Sequence, residues 1–516
     1  MAMRARSRQT TGRPAGGRQA RQAKRSVQVA APAYITRKIG YYDFLDEDAL
    51  AAIEAQADWL LSEKGIAFRD DPAALALWQE AGADIDGDIV RAPAALFRQL
   101  ISSAPPEFTQ IARNPDRSVR IGGDNVVFAP IYGAPFVRDL DGGRRYGSIA
   151  DFNNLVKLTA QLPSLHHGGF VTCEPCDVPV NKRHLDMLYA HMTLSDKPHL
   201  GAITAKDRAE DSVAMARILH GAETFENNCV IMGNVNTNSP LMVDKVVTEA
   251  IMTYCGAGQG IVVVPFILSG AMGPVTTAAS VAQALAEAMA CCAFAQLVRP
   301  GAPFILGNFL SSMSLKSGAP TFGMPEPVMS NYAIGQLARR LGLPLRCGGG
   351  LTASKLPDAQ AAAESADSMH STALAGANFV LHSAGWLESG LVTSFEKLVI
   401  DADRLGAYQV MLAGMAVDEN ALGRQAFDEI EPAAHYLGSA HTMANYQTAF
   451  YESRLSDSES FEQWADKGEM DMAVRANALM KDMLAAYAAP SLDPAIDEEL
   501  QAFIAKRKDA MPDAWY

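Results

Sequence analysis

Residues 343–364 read LPLRCGGGLTASKLPDAQAAAE. An apolar run, LPLRC (343–347), stops at three consecutive glycines, Gly348 to Gly350. A polar turn follows, Thr352-Ala353-Ser354-Lys355, and Pro357 with Asp358 opens a helix. Proline is pre-organised for the first helical position, and an acid there suits the helix dipole. The stretch is therefore a strand, a turn without side chains and a helix. In a protein built from such units, chemistry sits at this junction. The glycines permit positive φ or let something bulky approach the backbone.

The same alternation fills the middle of the chain. Apolar strands are predicted at 126–132, 165–172, 199–204, 229–235, 261–268, 303–309, 343–347 and 378–384. Helices are predicted near 149–162, 179–195, 207–221, 240–255, 274–299, 324–341, 357–375 and 389–414. Continuous apolar strands indicate a parallel sheet buried on both faces. Eight strand–helix units indicate an α/β fold of the TIM type, a (β/α)8 barrel over residues 121–417. An open doubly wound sheet would show GxGxxG after its first strand, and none is present. Residues 34–120 read as a helical N-terminal domain, with Asp46 capping a helix that ends at Gly65 and shorter helices near 72–81 and 93–103. Residues 418–516 read as a C-terminal helical layer, with helices at 431–452, 470–488 and 494–508. Residues 1–33 carry eight Arg or Lys by position 25 and no acid, the composition of a disordered basic tail.

Composition narrows the function classes. The net charge of −14 argues against duplex nucleic acid as a partner. No apolar run reaches ~18 residues, and Gln283, Glu287 and Gln296 mark 281–298 as a buried helix rather than a membrane span. No signal peptide is visible. Seven cysteines in so long a chain suggest a reducing cytoplasm, not a disulfide framework. Cys173 and Cys176 form one CxxC after His166 and His167, and a second CxxC that would complete a zinc set is absent, so no metal is expected.

On a barrel, active residues belong at strand C-termini. Those positions hold Tyr132, Thr172, Thr204, Asn234, Asn236, Phe309, Gly348 to Gly350 and His382. They are poor in carboxylates and contain no nucleophile–base pair, which argues against hydrolysis by paired acids or a magnesium site. His382 reads equally as a hydrogen-bonded core residue or a ligand contact. Trp386 reads as core or as the wall of a cation pocket. Lys355 and Asp358 are expected to pair across the turn, and Asn236 or Asn238 to cap the helix that follows.

Several runs resemble the trimethylamine methyltransferase family of corrinoid-dependent enzymes. They are GGGLTASKLPDAQAAAE (348–364), GAMGPVT (270–276), VNTNSPLMVD (235–244), ANFVLHSAGWLESGL (377–391), AHTMANY (440–446) and ESFEQW (459–464). The resemblance spans roughly residues 40 to 510 and implies a TIM-type barrel. Trimethylamine-using members carry pyrrolysine at or near the glycine-rich strand end, whereas this chain has ordinary residues there. It therefore resembles the branch that demethylates quaternary amines such as glycine betaine.

The resemblance implies methyl transfer to the corrinoid (cobalamin) of a separate partner protein, since no DxHxxG-type motif is present. A quaternary ammonium already has a neutral leaving group, so no covalent or acid–base residue is required. The implied substrate contacts are Tyr132, Phe309 and Trp386 for the cation, His382 and Asn236 for the polar end, and Gly349 and Gly350 as open floor. A homo-oligomer in the cytoplasm is implied as well. Other readings stay open: demethylation of trimethylamine or another methylated substrate, a zinc-dependent thiol methyltransferase or lyase using Cys173, Cys176 and His167, or a non-catalytic module that binds betaine or a corrinoid protein.

Overall fold

The computed structural model describes residues 32–515; the basic tail falls almost wholly outside them. Two compact units are present, one formed by residues 32–415 with 453–515 and one by 416–452.

The larger unit is a mixed α/β fold around six parallel strands. These are β1 (Asn125–Phe128), β2 (Met232–Asn236), β3 (Gly260–Val264), β4 (Phe304–Gly307), β5 (Leu345–Gly348) and β6 (Phe379–Leu381). They lie in the order β2–β3–β4–β5–β6–β1 and form a curled sheet. Register is continuous across it: Val262 pairs with Ile305, Gly307 with Arg346, Cys347 with Val380 and Phe379 with Val127. Nearly every residue of these strands is buried, as their continuous apolar sequences require. Beyond β1 the sheet continues through the antiparallel strands Val119–Gly122 and Glu107–Gln110.

Six of the eight expected strands form. The segments 165–172 and 199–204 do not, and the cause is local. His166 Nδ1 accepts the Phe128 N–H and His167 Nδ1 accepts the Gly169 N–H, so side chains take hydrogen bonds that a strand ladder would use. Gly169 adds φ +68°. Backbone bonds still link these segments to the sheet: His166 N–H to Phe128 O, Gly168 N–H to Pro198 O, Leu200 N–H to Gly169 O and Gly201 N–H to Met232 O.

The expected helices are present at Ile149–Gln161, Arg183–Leu194, Lys206–His220, Lys245–Gly256, Thr277–Val298, Pro325–Leu341, Ala359–Ala375 and Phe395–Leu412. Thr277–Val298 alone among the described residues is long and apolar enough to cross a membrane, and 89% of its apolar window is buried within the protein. Residues 34–120 carry helices at Glu47–Trp59, Pro72–Glu80 and Ala94–Ile101, but they are not purely helical. A hairpin joins Asp84–Asp86 to Ile89–Arg91 through Gly87 (φ +61°), a turn that Asp-Gly spacing encodes. The Phe68 ring packs at a tilt against Phe294 (centroids 5.3 Å) and Trp78 (5.4 Å), which seats this region on the helix Thr277–Val298.

Met472–Ala485 and Pro494–Asp509 are helical as expected. Asn477 on the first of them donates to Glu396 at 2.8 Å. In the smaller unit, the long helix expected over 431–452 is replaced by short pieces, among them the helix Ala440–Asn445. Pro432 and Ala433 (φ +71°) interrupt it, because helical φ is negative throughout.

Candidate active site

The ends of β1, β4, β5 and β6 bring together residues far apart in sequence. His382, which follows β6, has φ +60°, a conformation uncommon for a side chain with a Cβ. Two backbone bonds hold it: its N–H donates to Pro130 O at 3.1 Å, and its carbonyl accepts from Gly350 at 2.7 Å. Its Nδ1 accepts the Tyr132 N–H at 3.2 Å. A neutral imidazole that accepts at Nδ1 carries its proton on Nε2. Burial, and secondarily the Arg346 cation, hold its pKa well below the usual histidine value.

Around this ring lie Phe309 (centroids 5.4 Å, stacked) and Trp386 (4.5 Å, edge-on). Phe309 in turn meets Trp386 at 5.9 Å and Phe322 at 5.9 Å. The Trp386 indole N–H donates to Thr352 O at 3.0 Å, which fixes the ring against the turn after the glycines. Tyr132 adjoins the cluster through its backbone, and burial pushes its phenol pKa up. Tyr132, Phe309, His382 and Trp386 are thus brought together. Asn236 is not: it stands exposed at the end of β2, in register with Val264.

The glycines do not form an open floor. A Cβ on Gly349 would lie 2.5 Å from Met369 Cε and 2.8 Å from Ser383 Cα, and one on Gly350 would lie 2.8 Å from Ser383 O. They let the β5 turn pack directly on the backbone after β6. It is this packing that holds His382 in place, through the Gly350 bond. Lys355 and Asp358 do not pair; Lys355 binds Ala353 O, while Asp358 caps the helix from Ala359 and accepts from Ser354. The helix after β2 is capped by Asp244, and Asn238 braces that cap rather than providing it.

Carboxylates near the strand ends are consumed in supporting loops. Glu364 accepts from Thr352 Oγ1 at 2.6 Å and Ala353 N at 2.7 Å. Glu287 accepts from Thr237, Ser239 and Leu241 N at 2.5, 2.6 and 2.8 Å. Asp401 is held by Lys397 and by Gly385 N. Among the described residues no free carboxylate is poised at the cluster, in keeping with a site that orients rather than protonates. His167 uses both nitrogens within the protein, bonding Gln110 and Gly169, and burial raises the Cys173 and Cys176 thiol pKa values.

Sequence reasoning missed Arg346. It sits in β5, 1% exposed, with its guanidinium carbon 5.0 Å from the Phe309 centroid. Burial lowers its pKa to about 10. A charged residue inside an otherwise apolar, doubly buried strand was itself the signal, because an unpaired buried charge is costly. Phe322 was missed as well; it arrives from a separate strand, Pro320–Thr321, paired antiparallel with Phe309–Met313.

Comparison with known proteins agrees with the motifs. Residues 14–512 match the family described as Trimethylamine methyltransferase (MTTB). The chain is 38% identical over 467 residues to a glycine betaine methyltransferase of Desulfitobacterium hafniense, covering 90% of this chain and 97% of that protein. It is 25% identical over 485 residues to the trimethylamine methyltransferase MttB of the same species, covering 91% and 95%. Among solved structures, the monomethylamine methyltransferase of Methanosarcina barkeri aligns with a TM-score of 0.46 at 13% identity, over 87% of this chain and 96% of that one.

Proposed function

The chain belongs to the trimethylamine methyltransferase family, and from that membership we propose that it moves a methyl group from a quaternary amine, glycine betaine or a close relative, to the cobalt(I) corrinoid of a partner protein. The observation that carries this reading is the 38% identity over 97% of the length of a glycine betaine methyltransferase, against 25% to MttB of the same species.

The corrinoid is the methyl acceptor, brought as a substrate, and it supplies a strong two-electron nucleophile for the methyl carbon. The carbon–nitrogen bond breaks with its electron pair staying on nitrogen, and a neutral tertiary amine leaves. The protein's part is to orient the cation and exclude water. Phe309 and Trp386 offer π faces to the trimethylammonium group. Tyr132 lines the approach, and His382 presents its Nε2–H. Gly349 and Gly350 serve by seating the His382 backbone. Spent carboxylates suit this chemistry, since a neutral leaving group needs no proton.

The curled sheet is read as closing into a (β/α)8 barrel through 165–172 and 198–201, supported by the hydrogen bonds from Phe128 to Met232. A cytoplasmic homo-oligomer docking a cognate corrinoid protein completes the reading. Purified protein mixed with cobalt(I) cobalamin and a panel of methylated amines tests it through methylcobalamin absorbance. Transfer from glycine betaine is expected; transfer from trimethylamine or a thiol alone would overturn it.

A further inference from the structure

Among the described residues, Arg346 is a buried cation without an anion. One Nη donates to Asn308 O at 3.1 Å, and its Nε is buried with no hydrogen-bond partner among the described residues. No carboxylate pairs with it among the described residues. A guanidinium has five N–H donors in a planar fork shaped for a carboxylate, and burying it unpaired is unfavourable unless something completes it. Nearby stands His382, whose Nδ1 is occupied by the Tyr132 N–H and whose Nε2–H remains to be given away. Both lie against Phe309: the guanidinium at 5.0 Å from its centroid, the imidazole stacked at 5.4 Å. Tyr132 and Phe309 stay partly exposed and mark the side from which a ligand arrives.

We propose that Arg346, with the Nε2–H of His382, forms an anion subsite that takes the carboxylate of a zwitterionic quaternary amine. This rests on the functional reading above and extends it by making substrate choice depend on the anionic end. The subsite separates betaines from trimethylamine, tetramethylammonium and choline, none of which carries a carboxylate. Arg346 is a specificity residue here, because a buried donor set left without its acceptor rejects the ligand that lacks one.

The test is calorimetric binding of glycine betaine and of tetramethylammonium to the full chain, alongside methyl-transfer kinetics. Arg346→Gln should weaken glycine betaine at least tenfold, the loss of a charge-assisted pair, while tetramethylammonium binding stays within twofold. Arg346→Lys, which keeps the charge but loses the fork, should also weaken glycine betaine selectively and serves where the Gln variant fails to fold. Unchanged glycine betaine affinity in either folded variant, or equal loss of both ligands, would overturn the subsite. Methyl transfer from glycine betaine with an unaffected KM in Arg346→Gln would remove the subsite and leave the functional reading standing. Arg346-dependent betaine binding without methyl transfer would do the reverse.

Discussion

Lys197 and Arg346 are both buried cations of the larger unit, 6% and 1% exposed, and they are treated in opposite ways. Lys197 Nζ donates to three backbone carbonyls, Thr159 O, Leu162 O and Leu165 O, at 2.6, 2.9 and 2.6 Å. Those carbonyls belong to the last turn of helix Ile149–Gln161 and the irregular segment after it, where no helical partner exists. Burial pushes the Lys197 pKa far down, yet every donor is used. Arg346 has one carbonyl and an idle Nε. A satisfied buried cation holds structure together, and an unsatisfied one marks a place for something else.

The contrast predicts different consequences for stability. Lys197→Met strands Thr159 O and Leu165 O, leaves Leu162 O with only the Leu165 N–H, and should cost about 4 kcal/mol, read from urea denaturation; a change below 1 kcal/mol would break the comparison. Acid comes next. His166 and His191 are buried neutral, with pKa values lowered to about 3 chiefly by desolvation. Unfolded histidines bind protons from about pH 6.5 downward and these do not, so stability falls as pH drops below that value. A melting temperature that is level from pH 8 to 7 and declines through pH 5 is expected; a level profile down to pH 5 would contradict neutral burial.

Gly349→Ala should destabilise by about 2 kcal/mol, because its Cβ meets the Ser383 backbone. No change would restore the open-floor reading of the glycines. The smallest effect belongs to Arg346→Gln, whose stability should lie within about 0.5 kcal/mol of the parent or above it, since it removes an unsatisfied charge. A loss as large as that of Lys197→Met would make Arg346 a structural cation like its counterpart.

How much of this was legible in sequence follows the same division. Strands such as IVVVPFIL and PFILGNF hold apolar residues on both faces, and their periodicity places them correctly. LHHGGFVT fails because histidine side chains satisfy the backbone there, which no hydrophobic pattern records. For the site, the ring-bearing residues Tyr132, Phe309, His382 and Trp386 follow from position at strand ends. Arg346 was hidden inside an apolar run, and Phe322 depends on a hairpin that only tertiary pairing reveals. The role of the glycines was misread because sequence shows that a side chain is missing but not what fills the space.

The most direct test of the central claim follows both products of one turnover. Glycine betaine, cobalt(I) cobalamin and the purified chain are incubated, and proton NMR counts N,N-dimethylglycine against methylcobalamin formed. Equal amounts of the two, with trimethylamine left unconsumed in a parallel reaction, is the predicted result. Methylcobalamin formed from trimethylamine while glycine betaine stays intact would contradict it.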